Sequence, residues 1–186
     1  MKRIAISIAA LALAVAPALA QDASSTTSTD ANAGATAEVM DLEGNSLGTL
    51  ELMSMGNGVH VTGELTGLPG GDHGIHFHQT GDCDAASKFE SAGPHFNPAD
   101  KQHGTENPEG PHAGDLPNIS VPPEGAGALV DLMTEAVTLG EGENSLFDDD
   151  GSAIVVHADP DDYKSDPSGN SGDRIACGVI EGAAAQ

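Results

Sequence analysis

Hydrophobic and polar residues alternate with a period of two through much of the chain. The alternation is plain at Val59, Val61 and Leu65, whose neighbours are polar, and this period is typical of half-buried β-strands. No window of a dozen residues has a convincing helical period, so we expect an all-β domain. Gly, Asn, Asp and Pro separate seven predicted strands, at residues 36–42, 48–53, 59–65, 75–79, 128–133, 153–158 and 175–180.

Two long stretches interrupt the rhythm of short strands, at about residues 81–117 and 160–174. Loops of this length are uncommon in a compact domain unless they are functional or disordered. The first stretch holds three of the eight histidines and also Cys83. We therefore interpret the two stretches as functional loops.

The first twenty residues form a predicted secretory signal peptide. Lys2 and Arg3 precede an apolar run over residues 4–16, and Pro17 and an Ala-Leu-Ala triplet follow, so we expect cleavage after Ala20. The run is too short to span a bilayer comfortably, and no nearby Cys could carry a lipid. Residues 21–35 are small and polar and predict a disordered low-complexity leader. Residues 36–186 are left as one domain.

The charge of the chain argues against two classes of partner. Six Lys and Arg stand against 29 Asp and Glu, and removal of residues 1–20 would leave four basic residues and a formal net charge of −25. Such a surface repels phosphate backbones and anionic lipid, and four Phe, one Tyr and no Trp leave little to stack on bases. We expect no nucleic acid and no membrane as partners, and we interpret the charge mainly as a source of solubility.

The chain contains only two cysteines, Cys83 and Cys177. In the oxidising compartment that a signal peptide reaches, such a pair is most often one disulfide. The alternative is a pair of metal ligands, although the spacing has nothing of a Cys-x-x-Cys clip.

Histidines supply the candidate metal ligands. His76 and His78 flank Phe77 in a predicted strand, where the period of two places both imidazoles on one face, although such a pair is more often a polar surface patch. The first long loop offers three imidazoles and one carboxylate, a closed tetrahedral set suited to structural zinc, with a merely polar loop as the alternative. His157 ends an apolar run, where a lone histidine is usually not a ligand. The loop set is His95, His103, His112 and Asp115.

Five short segments carry recognisable motifs in order along the chain. They are GIHFH (74–78), GPHFNP (93–98), HAGDLPN (112–118), VVHA (155–158) and GNSGDRIACGV (169–179). These segments closely resemble the copper/zinc superoxide dismutase family, and the resemblance covers about residues 39–180 with every metal-site position filled. The short spacing from His78 to Cys83 and the segments KQHG (101–104) and NPEGPH (107–112) look more like the bacterial periplasmic branch than the eukaryotic cytosolic one.

The resemblance implies an eight-stranded Greek-key β-barrel, an immunoglobulin-like sandwich, which is one strand more than the pattern predicts. It implies an enzyme that converts superoxide to dioxygen and hydrogen peroxide, with one copper cycling between Cu(II) and Cu(I) and one zinc per subunit. His95 would bridge the two metals as an imidazolate. Copper would be held by His76, His78, His95 and His157, and zinc by His95, His103, His112 and Asp115.

Two further roles follow from the same resemblance. Arg174, the only arginine after residue 20, would attract and orient the anionic substrate beside copper, and His95 would carry a proton. Asp161 would accept hydrogen bonds from one copper histidine and one zinc histidine. Because Asp159 and Asp162 lie in the same acidic turn, that assignment could be shifted by one position.

The remaining sequence expectations concern cysteines, unassigned histidines and location. A Cys83–Cys177 bridge would position the metal loop as well as stabilise the domain. His60 and His73 are assigned to neither metal and are interpreted as ordinary polar residues. Together with the signal peptide, the resemblance implies a periplasmic antioxidant enzyme, for which the sequence does not decide between a monomer and a homodimer.

Two functions from other classes stay open at this stage. A metal-buffering or copper-delivery protein would bind the same ions without turnover, but it would need neither Arg174 nor a bridging histidine. A noncatalytic barrel of the cell envelope would be expected to lack some copper ligands, and this chain has them all.

Overall fold

Nine antiparallel strands lie within the residues that the computed structural model describes, 34–123 and 126–182. Seven strands form one curled sheet in the order β5-β8-β9-β1-β2-β3-β7, and β4 pairs with β6 in a second sheet. The predicted signal peptide (1–20) and residues 21–33 of the predicted leader lie outside the described residues. The strands are β1 (Gly34–Asp41), β2 (Ser46–Met55), β3 (Gly58–Leu65), β4 (Gly71–His73), β5 (Ile75–His78), β6 (Ile119–Val121), β7 (Ala128–Thr134), β8 (Ala153–His157) and β9 (Arg174–Gly182).

The expected all-β Greek-key barrel is confirmed. The seven strands predicted from alternation are the seven members of the large sheet. Long connections return the chain so that β7 pairs with β3 and β8 pairs with β5. The pattern missed β4 and β6 because three residues are too few to display an alternation. Only Gly74 separates β4 from β5, and counting these two as one strand gives the eight strands of the family fold.

Strand β1 begins two residues earlier than the sequence predicted. Gly34 pairs with Met53 of β2, and Ala35 pairs with Leu52 of β2 and Gly182 of β9. Ala35 is buried, so the last two residues of the predicted leader belong to the barrel. The small side chains of Gly34 and Ala35 show no hydrophobic alternation, so the sequence did not predict a strand at these positions. Their extended conformation depends on pairing with the neighbouring strands.

The core lies inside the curl of the large sheet. Along β3 the inward side chains Val59, Val61 and Leu65 are fully buried, as their alternation predicts. Strand β8 differs because all five of its residues are buried. Ile154 and Val156 pack into the main core, while Ala153 and Val155 face a second, smaller cluster on the other side of the sheet.

The smaller cluster fixes the first long loop onto the sheet. Phe89 and Ala92 from this loop are buried against Ala153, Val155 and Cys177. At the same place Cys83 and Cys177 form the expected disulfide, with Cα atoms 5.7 Å apart. The loop is therefore held by apolar contact and by a covalent bond. No helix of the described residues is long and apolar enough to cross a membrane.

Candidate metal centre

Four histidines from three parts of the chain meet at one point. His76 and His78 both lie on β5, His157 ends the neighbouring strand β8, and His95 lies in the first long loop, bridged to His78. One ring nitrogen from each lies within 4.8 Å of the corresponding atom of every other. The structure thus brings together all four residues that the resemblance implied as copper ligands.

The converging atoms have no partner within the described residues. They are the buried atoms His76 Nδ1, His78 Nε2, His95 Nε2 and His157 Nε2. A buried polar atom without a hydrogen bond costs about 1–3 kcal/mol, so four at one point need a common partner. Four imidazole nitrogens are a donor set that suits copper.

The opposite nitrogen of each of these rings is anchored by the protein. His78 Nδ1 lies 2.8 Å from the carbonyl oxygen of Gly93, and His157 Nδ1 lies 3.3 Å from that of Gly172. Because a carbonyl oxygen only accepts hydrogen bonds, each anchored nitrogen carries the proton. The lone pair of the other nitrogen then points to the common centre, as a metal ligand requires.

A second cluster is built around Asp115. The Nδ1 atoms of His95, His103 and His112 lie 2.9, 3.0 and 3.2 Å from the same oxygen, Asp115 Oδ1. Bonds of about 2.0 Å to one tetrahedral zinc ion would hold its ligand atoms roughly 3.3 Å apart. The backbone N–H groups of Gly104 and His112 donate to Asp115 Oδ2 and fix the carboxylate. The donor set of three nitrogens and one oxygen fits zinc.

His95 belongs to both clusters. Its Nδ1 atom lies against Asp115 Oδ1, while its Nε2 atom is one of the four unpartnered nitrogens. The structure therefore aims the two ends of one imidazole at two different sites. This is the arrangement that a bridging histidine requires.

Asp161 connects the two clusters by contacting one histidine of each. Its Oδ2 atom lies 2.8 Å from His76 Nε2 and its Oδ1 atom lies 2.9 Å from His103 Nε2. The side chain of Asn118 holds the backbone of Asp161 through two hydrogen bonds of 2.9 Å. Asp159 and Asp162 are exposed, so within this turn it is Asp161 that takes the predicted position.

Burial and charge set the protonation of the two clusters differently. Burial lowers the pKa of His95 to about 4 and that of His157 to about 3. Burial also opposes protonation of His103, but the hydrogen bonds and charges of Asp115 and Asp161 outweigh it and raise the pKa to about 9. Burial likewise lowers the pKa of His76 and of His78, so the four-histidine cluster is neutral at pH 7, as cation binding requires.

Arg174 and three histidines of the four-histidine cluster line one pocket of about 240 Å³. The guanidinium donates to the carbonyl oxygens of Phe89 (2.6 Å) and Gly93 (2.8 Å), and it lies 3.6 Å from the carboxylate of Glu90. The loop that carries His95 thus fixes the side chain of Arg174. The histidines in the pocket wall are His78, His95 and His157.

Several contributors to the site gave no signal in the sequence. The carbonyl oxygens of Gly93 and Gly172 anchor two histidines of the four-histidine cluster, and backbone atoms have no residue-specific pattern. Asp166 accepts a 2.7 Å hydrogen bond from the backbone N–H of His103, and Glu90 pairs with Arg174. Both sit among other acidic residues, so their roles depend on tertiary geometry.

The two unassigned histidines lie outside both clusters. His73 is buried, with its ring nitrogens 2.8 Å from the carbonyl oxygen of His157 and 2.9 Å from that of Pro69. It therefore ties β4 to the backbone of His157, a member of the four-histidine cluster. His60 lies on the outer face of β3 beside Asp131.

Comparison with known proteins identifies the family. A family model described as Copper/zinc superoxide dismutase (SODC) matches residues 46–180. The chain is 49% identical over 148 residues to Cu-Zn superoxide dismutase 2 of Aquifex aeolicus, covering 78% of this chain and 85% of that protein. It is 43% identical over 150 residues to a Cu-Zn superoxide dismutase of Caulobacter vibrioides, covering 79% and 85%.

A solved structure agrees with these matches. The crystal structure of a mutant of a SOD-like protein from Bacillus subtilis superposes with a TM-score of 0.75 at 39% sequence identity, covering 79% of this chain and 97% of that chain. Sequence and fold therefore point to one family. The chain belongs to the copper/zinc superoxide dismutase family of enzymes.

Proposed function

We propose that this enzyme dismutates superoxide with copper held by His76, His78, His95 and His157 and zinc held by His95, His103, His112 and Asp115. The observation that carries the proposal is the set of four buried, unpartnered ring nitrogens that converge at one point. The double placement of His95 supports one shared ligand between the two metals. All the proposed ligands and Arg174 belong to one chain, so the proposal does not require a homodimer.

When bound, copper supplies one-electron redox chemistry, by which two superoxide anions and two protons yield one dioxygen and one hydrogen peroxide. The protein supplies the geometry for this reaction. His78 and His157 are held through their Nδ1 atoms by backbone carbonyl oxygens, so their Nε2 atoms stay directed at one point. His76 is held through its Nε2 atom by the carboxylate of Asp161, which leaves its Nδ1 atom facing the same point.

His95 is the residue best placed to carry a proton. Its Nε2 atom has no partner within the described residues, and the residue lines the pocket that also holds Arg174. Its Nδ1 atom lies in the Asp115 cluster, so zinc there would keep the ring in position whenever Nε2 holds a proton. The zinc site is in this way structural, because all four of its positions are filled by protein.

Arg174 is placed to bind the anionic substrate. Its guanidinium lines the same pocket as the copper histidines and is fixed by two backbone carbonyl oxygens. A fixed cation lowers the energy of an anion in the pocket without ordering a side chain at each encounter. Arg174 thus orients superoxide beside the reacting metal.

The proposed location is the periplasm. The predicted signal peptide would export the chain, and the Cys83–Cys177 disulfide fits an oxidising compartment. The protein would remove superoxide there as part of antioxidant defence.

A metal-loading experiment tests the proposal. Purified protein beginning at Gln21 is loaded with copper and zinc, or with zinc alone as the matched control, and superoxide decay is followed by pulse radiolysis. We expect rapid catalysis by the copper/zinc form and none by the zinc-only form. Stoichiometric copper binding without turnover would instead identify a metal-buffering protein and would refute the dismutase proposal.

A further inference from the structure

Methionines occupy an unusual place on this protein. The chain has five, and the four among the described residues, Met40, Met53, Met55 and Met133, are 38, 40, 49 and 48% exposed. Methionine usually fills gaps in cores, and the core of this barrel uses none. Three of the four lie on the outer face of neighbouring strands around one histidine.

That histidine is His60, and its cross-strand neighbours are both methionines. On β3, His60 pairs directly with Met53 of β2 on one side and with Met133 of β7 on the other. Directly opposed residues have Cβ atoms roughly 4.5–5.5 Å apart. Because methionine is unbranched and has three rotatable bonds, both thioether sulfurs can reach a point beside the imidazole. We call these three residues the Met-His-Met row.

Asp131 orients the imidazole of the row. The His60 Nε2 atom lies 2.7 Å from Asp131 Oδ1, and the two side chains are 23% and 70% exposed. An ionised carboxylate only accepts hydrogen bonds, so Nε2 carries the proton and Nδ1 keeps its lone pair. Within residues 34–123 and 126–182, that Nδ1 atom makes no hydrogen bond. A carboxylate behind a histidine with its other nitrogen free is the usual support of a metal-binding imidazole.

We propose that Met53, His60 and Met133 form a surface binding site for Cu(I), separate from the two histidine clusters. Two thioether sulfurs are soft donors that favour Cu(I) over magnesium or calcium, and an imidazole nitrogen is a further donor that suits copper. The formal net charge of −23 for the whole chain favours a cation at its surface. The site needs no dismutase activity, so it stands independently of the proposed function.

A Cu(I) titration of the loaded protein tests this site. Copper/zinc-loaded protein is reduced with ascorbate, which fills the four-histidine cluster with Cu(I), and is then desalted under anaerobic conditions. Thiol reductants are avoided because they would open the disulfide. Cu(I) is added as its acetonitrile complex in competition with a chromogenic Cu(I) chelator, and 13C-methyl methionine signals are followed by NMR. We expect one further equivalent to bind, with shifts of the Met53 and Met133 methyl signals and none at Met40.

Conservative variants assign the ligands. Met53→Leu and Met133→Leu keep an exposed apolar side chain of similar size, and each should weaken the additional Cu(I) equivalent about tenfold or more. Asp131→Asn should weaken it about tenfold by loosening the imidazole. Met40→Leu is the matched control, because Met40 is also exposed but pairs with Ser46 at the far end of β2, roughly 23 Å along the strand from Met53. This variant should bind as the unaltered protein does.

Three outcomes would overturn the proposal. The first is the absence of any Cu(I) equivalent beyond the histidine clusters, and the second is an additional equivalent that persists in the Met53→Leu/Met133→Leu double variant. The third is a dimer that forms without Cu(I) and is lost in this double variant, together with methionine methyl signals that do not shift when Cu(I) is added. That result would assign the Met-His-Met row to contacts between copies of the chain. A parallel zinc titration should leave the methionine signals in place.

Discussion

At the scale of single residues, Gly169 shows how closely the second long loop packs against the proposed metal ligands. Its backbone has a φ of +65°, which favours glycine. A Cβ atom at this position would overlap the carboxylate of Asp161 and lie 2.7 Å from His103 Nε2. Glycine is therefore required here both by the backbone conformation and by the space that Asp161 occupies.

We predict that Gly169→Ala weakens zinc and copper binding. The added methyl group must displace Asp161, which orients one ligand of each cluster, and loss of such support typically lowers metal affinity about 10–100-fold. Competition with chromogenic zinc and copper chelators measures the effect.

Gly56→Ala is the matched control for Gly169→Ala. Gly56 has a nearly equal φ of +60°, but a Cβ there would meet nothing within 4 Å. This variant carries the same backbone strain without contact to the site, so its metal affinity should not change. Equal affinities in the two variants would mean that Gly169 does not protect the position of Asp161.

At the scale of elements, the first long loop is bound to the sheet at several independent points. Phe89 and Ala92 pack on β8 and β9, and the carbonyl oxygens of Phe89 and Gly93 accept hydrogen bonds from Arg174 at the start of β9. The disulfide adds a covalent link between residues 94 positions apart. The loop can therefore present His95 at a fixed position without regular secondary structure of its own beyond two short 3-10 helices, Ala85–Ser87 and Glu90–Ala92.

We predict that Cys83→Ala lowers the free energy of unfolding by about 5 kcal/mol, the chain-entropy value for a loop of roughly 100 residues. The variant is compared with the unaltered protein by denaturant unfolding of the metal-free forms. Cys83 is only half-buried, so truncation of its side chain costs little packing.

The double variant Cys83→Ala/Cys177→Ala separates the covalent link from packing. It lacks the same bond but also loses the fully buried Cys177 sulfur, so it should be somewhat less stable than the single variant. A single variant as stable as the unaltered protein would show that the disulfide contributes nothing to folding.

The sequence predicted strands in which one face is buried and the other is exposed to solvent, and it predicted a strand buried on both faces from a continuous apolar run. Val59, Val61 and Leu65 identify β3 in the first way, and the apolar run of residues 153–156 identifies β8 in the second. The sequence pattern could not predict β4 and β6, because each has only three residues. It also could not predict the start of β1 at Gly34, because the conformation there depends on pairing partners far along the chain.

For the site, motif resemblance supplied the ligand sets, while residue spacing alone left them open. The structure brings these residues together, but most of the groups that hydrogen-bond to the histidines and fix their orientation could not be predicted from the sequence. The oxygens of Gly93 and Gly172 belong to the backbone, and Asp161 is separated from its neighbours in the acidic turn only by its contacts to His76 and His103.

At the scale of the whole molecule, the buried histidines make the metal-free protein sensitive to pH. The pKa of His95 is lowered to about 4 and that of His157 to about 3, mainly by burial, whereas an unfolded histidine titrates near 6.5. Below pH 6.5, and down to the lowered pKa values, the unfolded chain binds protons at these two histidines that the folded chain does not bind. The free energy of unfolding therefore falls as pH decreases. His103, with a pKa raised to about 9, stabilises the folded state below 6.5, and this contribution is lost as pH rises through 9.

We therefore predict that the metal-free protein is most stable near pH 6.5–7 and less stable at pH 5 and at pH 9.5. Denaturant midpoints at these three pH values measure this. Bound zinc holds His103 in its neutral form, so the alkaline decline should disappear in the zinc-loaded control. A metal-free protein that is as stable at pH 5 as at pH 7 would contradict the assigned pKa shifts.

The net charge of the molecule opposes an anionic substrate, and the role proposed for Arg174 is to act against this field at short range. Removal of the predicted signal peptide would leave a formal charge of −25, which repels superoxide. At an ionic strength of 0.15 M the Debye length is about 8 Å, so the distant carboxylates are screened while Arg174 still acts within the pocket. Glu90, 3.6 Å from the guanidinium and largely exposed, reduces that attraction.

We predict that Arg174→Ala lowers the catalytic rate constant about tenfold, the lower end of electrostatic effects on association. The ratio of the rates of the unaltered protein and this variant should shrink as salt is added, because salt screens the attraction that only the unaltered protein has. Pulse radiolysis between 10 mM and 150 mM ionic strength, roughly 30 Å to 8 Å in Debye length, measures both quantities.

Two companion variants identify charge as the cause. Arg174→Lys keeps the positive charge but not the paired hydrogen bonds to Phe89 and Gly93, so it should retain much of the rate and its salt response. Glu90→Gln removes the opposing carboxylate and should raise the rate above that of the unaltered protein. If Arg174→Lys were as slow as Arg174→Ala at every ionic strength, the contribution of Arg174 would lie in holding the loop that carries His95, and attraction of the anion would have to come from the metal centre itself.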